Sequence, residues 1–348
     1  MTAPAIPAQP KQDESLRPVP WSRMAWVTWR RHRLTLAGVA LLLGAAALYL
    51  WTTGLTLHHA YAAMTACRPA GSGFCLQAAN NFSSTYAFGT GAASALLQAV
   101  PALIGAFAGA PLLARELETG TFRYAWTQGI GRTRWTIAML APLAIAVTAA
   151  AGVLGLLFAW SYQPIFSPTG YTPFYATMFD LRWVTLAAWT LAAFAIGALA
   201  GMLIRRVIPA MTATLAVWAG LAVATGGYLR QRYMSPLTTS NPNVTAPAWI
   251  TSQWWTQDGK PASMAAINQA LQAVDVKETS PGLFQPVGLG HGSPNPVQYL
   301  TQHGFVQWTS YQPASRLWPF QWIEGGWLLA LCALLITATI VLVRRRAA

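Results

Sequence analysis

The sequence predicts an all-α polytopic membrane protein with six transmembrane helices, an N-terminal interfacial helix and a small α+β extracytoplasmic domain between helices five and six. Three observations predict it. Only 9% of the residues are charged and 54% are hydrophobic, whereas a soluble domain carries roughly a quarter charged residues. Six apolar runs each reach the length of about 20 residues that crosses a ~30 Å hydrocarbon layer at ~1.5 Å per residue. The basic residues, finally, gather in short segments beside those runs.

Taken in order, residues 1–18 are rich in proline, alanine and polar groups and read as a disordered tail. Residues 19–33 read as an interfacial amphipathic helix: a helical wheel gathers Trp21, Met24, Ala25, Trp26 and Trp29 on one arc and sets Arg23 and Arg30 opposite. The first span is 34–55, and an extracytoplasmic loop, 56–91, follows. The second span is 92–114, a cytoplasmic loop occupies 115–134, and the third span is 135–160. A short proline-bearing extracytoplasmic loop, 161–182, leads to the fourth span, 183–204. Only Arg205 and Arg206 separate it from the fifth, 207–228, so these two form a tight helical hairpin. The extracytoplasmic domain covers 229–322, the sixth span 323–343 and a cytoplasmic tail 344–348. Each span must satisfy its backbone hydrogen bonds internally, and this selects helices.

Orientation follows from the basic residues. Fifteen Lys and Arg lie on the side of the two termini and seven on the other, much longer side. The positive-inside rule therefore places both ends in the cytoplasm of a cell (inner) membrane. A cleaved signal is the competing reading of the first run, but that run exceeds the 7–15 residues of a signal's apolar region. The net charge of +13 suits anionic headgroups at these positions, and membrane lipids rather than nucleic acid are the expected partner.

Within 229–322, Trp254 to Lys260 reads as a hairpin about Asp258-Gly259, Met264 to Leu271 as a helix, and Phe305 to Thr309 as a strand. Arg316 and Glu324 flank the outer end of the sixth span, where pairing would fix the domain to the helix; two solvated charges are the alternative. Cys67 and Cys75 share a segment placed outside, where a disulfide is allowed, free thiols being the alternative. Gly105 to Gly109 and Gly197 to Gly201 are GxxxG patterns that permit close helix packing. They are expected to pack within one chain in preference to a dimer contact. No ionisable residue falls mid-span, which weighs against an ion-coupled carrier. The five histidines are scattered, with His58-His59 in an exposed turn, and no metal or nucleophile constellation emerges. No catalytic residue is expected.

The most informative segment is the loop Arg115 to Trp135. Thr121 is suited to cap a short helix with Phe122, Arg123, Tyr124 and Trp126 in its body and Gly129 at its end. Aromatics beside an arginine form the composition of a protein interface hot spot; a connector lying on the lipid surface is the alternative. The pattern Glu116-x-Glu118-x-Gly120-Thr121, followed by Arg132 and the next span, resembles the ExExGT…R segment of ABC-2-type permeases, the type V ABC exporters. Trp126-Thr127-Gln128 and the stretch Tyr311 to Glu324 are similar to such permeases from high-G+C Gram-positive bacteria.

The resemblance implies a coupling helix at Thr121–Gln128 docking on a separate ABC ATPase subunit, with Glu116 and Glu118 pairing with basic groups there or on the interfacial helix. Family members usually carry a proline near Gly129 or Ile130; its absence here leaves the end of the coupling helix undefined. This chain has no GxxxxGK[ST] phosphate loop, so ATP and magnesium belong to the partner and no cofactor is bound by this chain. The resemblance also implies a second permease copy or paralogue, and a pathway between spans two and five with Gln98, Thr212, Thr214 and Trp218 as candidate lining residues. Export of an amphiphilic substrate is the leading expectation. A membrane-anchored sensor or binding protein acting through its outer domain, and a secondary carrier, are the alternatives.

Overall fold

The structure, a computed structural model, describes residues 21–346 except 70–71, 121–130, 167–171, 242–243, 245–246, 272–275, 281–282 and 287–295. The chain is predominantly helical, and six helical stretches are long and apolar enough to cross a membrane: Arg33–Thr65, Gly73–Thr119, Arg132–Ile165, Trp183–Ile204, Val207–Arg232 and Ala314–Arg345. The expected coupling helix at Thr121–Gln128 and the tail 1–18 lie outside the described residues.

The N-terminal third differs from expectation in its boundaries. Helix α1 runs unbroken over Trp21–Thr65, so the described part of the expected interfacial helix, residues 21–33, is continuous with the first span. No glycine or proline stands between Trp21 and Ala37 to turn the chain, and at ~1.5 Å per residue α1 is more than twice the ~30 Å hydrocarbon thickness. Residues 56–91 are likewise no loop. The helix continues to Thr65, turns through the Cys67–Cys75 disulfide, whose Cα atoms are 5.7 Å apart, and resumes as α2 (Gly73–Leu97). Ser72 caps α2 through a bond accepted from Cys75 N at 3.3 Å. His58, expected in an exposed turn, is instead part-buried in α1 with Nε2 3.0 Å from Trp160 O and its ring stacked on Trp160.

The second span continues through α3 (Ala99–Ile104), one wide π turn at Gly105–Gly109, and α4 (Ala110–Thr119). Gly120 ends it at φ +70°, the left-handed conformation that glycine adopts without penalty. Helix α5 (Arg132–Ser161), the four-residue α6 (Ala176–Phe179), α7 (Trp183–Ile204) and α8 (Val207–Ala224) follow. After α8 a second π turn covers Thr225–Leu229. The last helix, α11 (Leu317–Arg346), comes after the outer domain.

Helix α7 is the centre of the bundle and packs against α4, α5, α8 and α11. It sits there because its side chains are small where neighbours are closest. The two GxxxG patterns face each other inside this one chain. A Cβ at Gly105 would stand 2.5 Å from Ala193 O, one at Gly109 2.6 Å from Phe194 O, and one at Gly197 would run into Gly105 O and stand 2.7 Å from Ala110 N. Backbone meets backbone here with no side chain between, the arrangement that lets dispersion forces associate helices where lipid removes the hydrophobic drive. The main core around it joins Leu50 and Leu57 of α1, Ile104, Leu112 and Leu113 of the second span, Leu143 and Phe158 of α5, and Phe194 of α7.

The outer domain is a four-stranded antiparallel sheet in the order β1-β6-β2-β3, from β1 (Leu237–Thr239), β2 (Trp249–Gln257), β3 (Lys260–Pro261) and β6 (Phe305–Gln312). Asp258 at φ 51° and Gly259 at φ 75° form the tight turn between β2 and β3, the geometry that an Asp-Gly pair favours in a two-residue hairpin. Helices α9 (Met264–Leu271) and α10 (Pro296–Gln302) join Trp255 and Phe305 in a small core through Ile267, Leu271 and Leu300. Strands β4 (Val276–Ser280) and β5 (Leu283–Pro286) form a separate hairpin. The expected hairpin, helix and strand all stand where the sequence places them.

Gly197→Ala should cost about 1–3 kcal/mol through overpacking and lower the melting temperature of the detergent-solubilised protein. Gly220→Ala, on the neighbouring span with nothing within 4 Å of the added Cβ, should leave that temperature unchanged.

Candidate functional site

The site is built where three chain segments end at the same side of the bundle. Asp180 follows α6, Arg230 follows the π turn at the end of the fifth span, and Glu324 lies in the second turn of α11. Arg230 is 1% exposed and Glu324 is fully buried. The guanidinium bridges the two acids: Arg230 Nε donates to Glu324 Oε2 at 3.0 Å, Nη2 donates to Glu324 Oε1 at 2.9 Å, and Nη2 also donates to Asp180 Oδ1. The Phe179 ring lies 4.2 Å from the guanidinium carbon and covers its face.

Glu324 accepts two further bonds, from Trp189 Nε1 at 2.9 Å and from Tyr233 Oη at 3.1 Å. Tyr233 Oη in turn accepts from Trp327 Nε1 at 2.9 Å. Asp180 Oδ2 accepts from Gln98 Nε2 at 3.2 Å. Each of these bonds to Asp180 and Glu324 is donated to a carboxylate oxygen.

Neighbouring contacts set this geometry. Gln321, one turn before Glu324, donates through Nε2 to Phe179 O at 3.0 Å, and its Oε1 accepts from Thr185 N at 3.4 Å. Thr185 Oγ1 also donates to Phe179 O at 2.7 Å. The turn carrying Asp180 is thereby tied both to α7 and to α11. Phe174, Phe179 and Phe320 pack beside it with Tyr233 and Trp249, which closes the cluster under the outer domain. The π turn at Thr225–Leu229 changes the helical phase just before Arg230, and such turns recur at functional sites.

Beside the cluster lies a cavity of about 550 Å³, within the range of small-molecule sites. Its walls are Ala95, Gln98, Ala99 and Pro101 of the second span, Ala176 to Leu181 in part, Leu186 and Trp189 of α7, and Trp218 to Gly227 in part. Asp180 is the one charged residue among the cavity-lining residues, with 16% of its side chain exposed. Burial pushes its carboxyl up to about 7; Arg230 opposes the shift and the charge of Glu324 adds to it.

Of the four candidate pathway residues, the structure brings two together. Gln98 and Trp218 both line the cavity. Thr214 does not: it is buried and donates to Ala210 O at 2.7 Å, and exposed Thr212 donates to Ile208 O at 3.2 Å. Both hydroxyls are spent on the preceding turn of their own helix. The expected Arg316–Glu324 pair is absent. Arg316 donates to Ser235 O and to Gln312 Oε1 at 2.6 and 2.7 Å, holding β1 and β6 to the start of α11, while Glu324 faces inward to Arg230. Glu324 is two turns of helix beyond Arg316, far enough into the bundle for a buried cation to outcompete an exposed one. These three residues stand at span ends and not mid-span, and their pairing buries them at one end of the bundle. Their signal in the sequence was available: the chain has only nine acids, and an acid at the edge of an apolar run needs a partner.

At the opposite side of the bundle, Glu118 Oε2 accepts from Val207 N at 3.3 Å, satisfying a free amide at the start of α8. Glu116 is 2% exposed. Glu118 thus holds the end of the second span to the start of the fifth. Arg132, at the start of α5, donates through Nη1 to Arg344 O at 3.3 Å near the end of α11. Thr121, Phe122, Arg123, Tyr124 and Trp126 lie outside the described residues.

Removing Arg230 strands two acids in the interior, so Arg230→Met should cost about 3–5 kcal/mol and lower the melting temperature in detergent sharply. Adding Glu324→Gln and Asp180→Asn to that variant should restore most of the loss; a triple variant no better than Arg230→Met would show that the cluster is not an electrostatic unit.

Residues 39–230 match the family described as ABC-2 membrane transporter related. No curated protein and no solved structure matches the chain.

Proposed function

We propose a function from one premise: this chain belongs to the ABC-2 membrane transporter related family. It acts as the membrane-spanning permease subunit of an ATP-driven ABC exporter, working beside a separate ATPase that binds ATP and magnesium. Two permeases, two copies of this chain or one with a paralogue, enclose the path. Both termini face the cytoplasm, the outer domain lies beyond the cytoplasmic membrane, and the cargo is amphiphilic.

The observation that supports this reading best is how the two ends of the 115–134 segment are held. Its entry is bonded to the fifth span through Glu118 and Val207 N. Its exit is bonded to the sixth through Arg132 and Arg344 O. A push on this one segment is therefore delivered to the second, third, fifth and sixth spans at once, as a coupling element requires. The fifth and second spans line the cavity beside Asp180, so the same displacement reaches the candidate pathway.

A tagged chain isolated from its native membranes should bring down an ATPase with a phosphate-binding loop. Tyr124→Ala combined with Trp126→Ala should cut the captured ATPase at least tenfold while the permease remains monodisperse. No captured ATPase and full transport by the double variant would sink the exporter reading. The secondary-carrier alternative has one observation in its favour, the ionisable cluster beside a cavity, and transport that persists without ATP in reconstituted vesicles would select it.

A further inference from the structure

The cavity between the second, fourth and fifth spans has an uneven chemistry. Leu181, Leu186 and Val223 with several alanines make it apolar, two indoles stand in its wall, and among the described lining residues a single acid marks one end. Trp189 and Trp218 meet edge to face with centroids 6.0 Å apart, and the Trp189 ring is held in place by its bond to Glu324.

The charges behind that wall do not balance. Asp180 and Glu324 carry two negative charges and Arg230 one positive, and Arg230 and Glu324 satisfy one another through two bonds, at 3.0 and 2.9 Å. The excess negative charge therefore belongs to the cluster as a whole, and Asp180, itself paired with Arg230, is the member that reaches the cavity. Each group facing Asp180 from the packed elements is accounted for: Arg230 from the fifth span, Glu324 and, through it, Tyr233, and the neutral amide of Gln98 from the second span. Arg182, two residues further on, lies over the Phe166 ring, 5.1 Å from its centroid, and is absent from the cavity wall. A buried cluster with two acids to one base is costly beside an apolar wall unless a further cation or a proton joins it.

We propose that this cavity is the binding site for a small amphiphile carrying one ammonium group, its charge set against Asp180 and the indole faces of Trp189 and Trp218 and its chain against the aliphatic wall. The inference names a substrate class for the exporter reading and takes its physiological meaning from it. Charge complementarity selects the occupant. An anion would meet the excess negative charge, and a neutral alcohol would leave that charge unanswered. A tryptophan face adds attraction for a desolvated cation. The volume accommodates a ligand of drug size. A proton is the natural competitor, because the Asp180 carboxyl titrates near 7.

The test uses the full chain in nanodiscs of phosphatidylcholine, with equilibrium binding of radiolabelled dodecylammonium at pH 8. Saturable binding is expected, with unlabelled dodecylammonium competing at least tenfold better than dodecanol and dodecanoate competing least. Asp180→Asn should abolish the advantage of the ammonium over the alcohol, and Asp180→Glu should retain it. Lowering the pH from 8 to 6 should weaken dodecylammonium severalfold and leave dodecanol unchanged, because protonated Asp180 no longer attracts the cation. Ala219→Phe, which fills the cavity, should remove saturable binding of both.

Equal competition by ammonium and alcohol, a preference for dodecanoate, or an undiminished ammonium preference in Asp180→Asn would each overturn the inference. So would displacement of dodecylammonium by phosphatidylethanolamine added to the discs, which would move the site to a two-chain lipid. Where Asp180→Asn fails to fold, the pH dependence and Ala219→Phe decide. No ATPase takes part in the readout. ATPase capture without ammonium preference therefore sinks this inference alone, and the preference without ATPase capture sinks only the exporter reading.

Discussion

A guanidinium cannot be left unpaired in an apolar helix bundle, and Arg230 is where this chain meets that constraint. Two acids from segments 50 and 94 residues away are drawn to it, and through them the α6–α7 turn, the end of the fifth span and the start of the sixth converge. Gln321, Tyr233 and the phenylalanines around Phe179 then order themselves about the same centre. Two acids against one base is more than neutrality needs. That surplus places a charge on the wall of the cavity, so the interaction that gathers the bundle also gives the cavity its electrostatic character.

A second constraint operates where no charge is present. The second and fourth spans approach until the added Cβ of Gly105, Gly109, Gly197 or Gly201 would collide with the facing backbone. This close seam makes α7 an axle with four helices around it, while the first and fifth spans remain largely uncovered within this chain. Exposed Leu41, Leu48, Ile208 and Leu215 are ordinary for helices that face lipid, since lipid penalises polar groups rather than apolar ones. The two π turns fall in the second and fifth spans, the pair that flanks the cavity. Each inserts a local change of phase, and each gives its helix a place where it departs from a rigid rod.

Much of the fold was legible before any coordinates. The number and order of the spans follow from apolar length, which is a property of consecutive residues. The Asp258-Gly259 turn, the helix at Met264–Leu271 and the strand from Phe305 were readable because turn chemistry and short periodicities are local. Boundaries were less legible. The helix through Thr65 and the one resuming at Gly73 contain polar residues that a hydropathy reading assigns to a loop, yet helices extend past the hydrocarbon wherever nothing stops them. Of the candidate pathway residues, Gln98 and Trp218 reach the cavity, whereas Thr212 and Thr214 bond to their own helix, a distinction that depends on which way each face turns.

The sequence by itself determined that this chain has six spans, that an α+β domain lies between the fifth and sixth, and that a segment with the Glu116-x-Glu118-x-Gly120-Thr121 pattern joins spans two and three. All of these reside in contiguous residues, where length, charge and spacing suffice. Only the tertiary structure decided that Glu324 turns away from Arg316 toward Arg230, that Asp180 joins them, and that Glu118 caps the fifth span. Those pairings depend on which distant segments arrive together and on how deeply each charge is buried. A lone charge records in the sequence that it needs a partner, and only packing decides which one it finds.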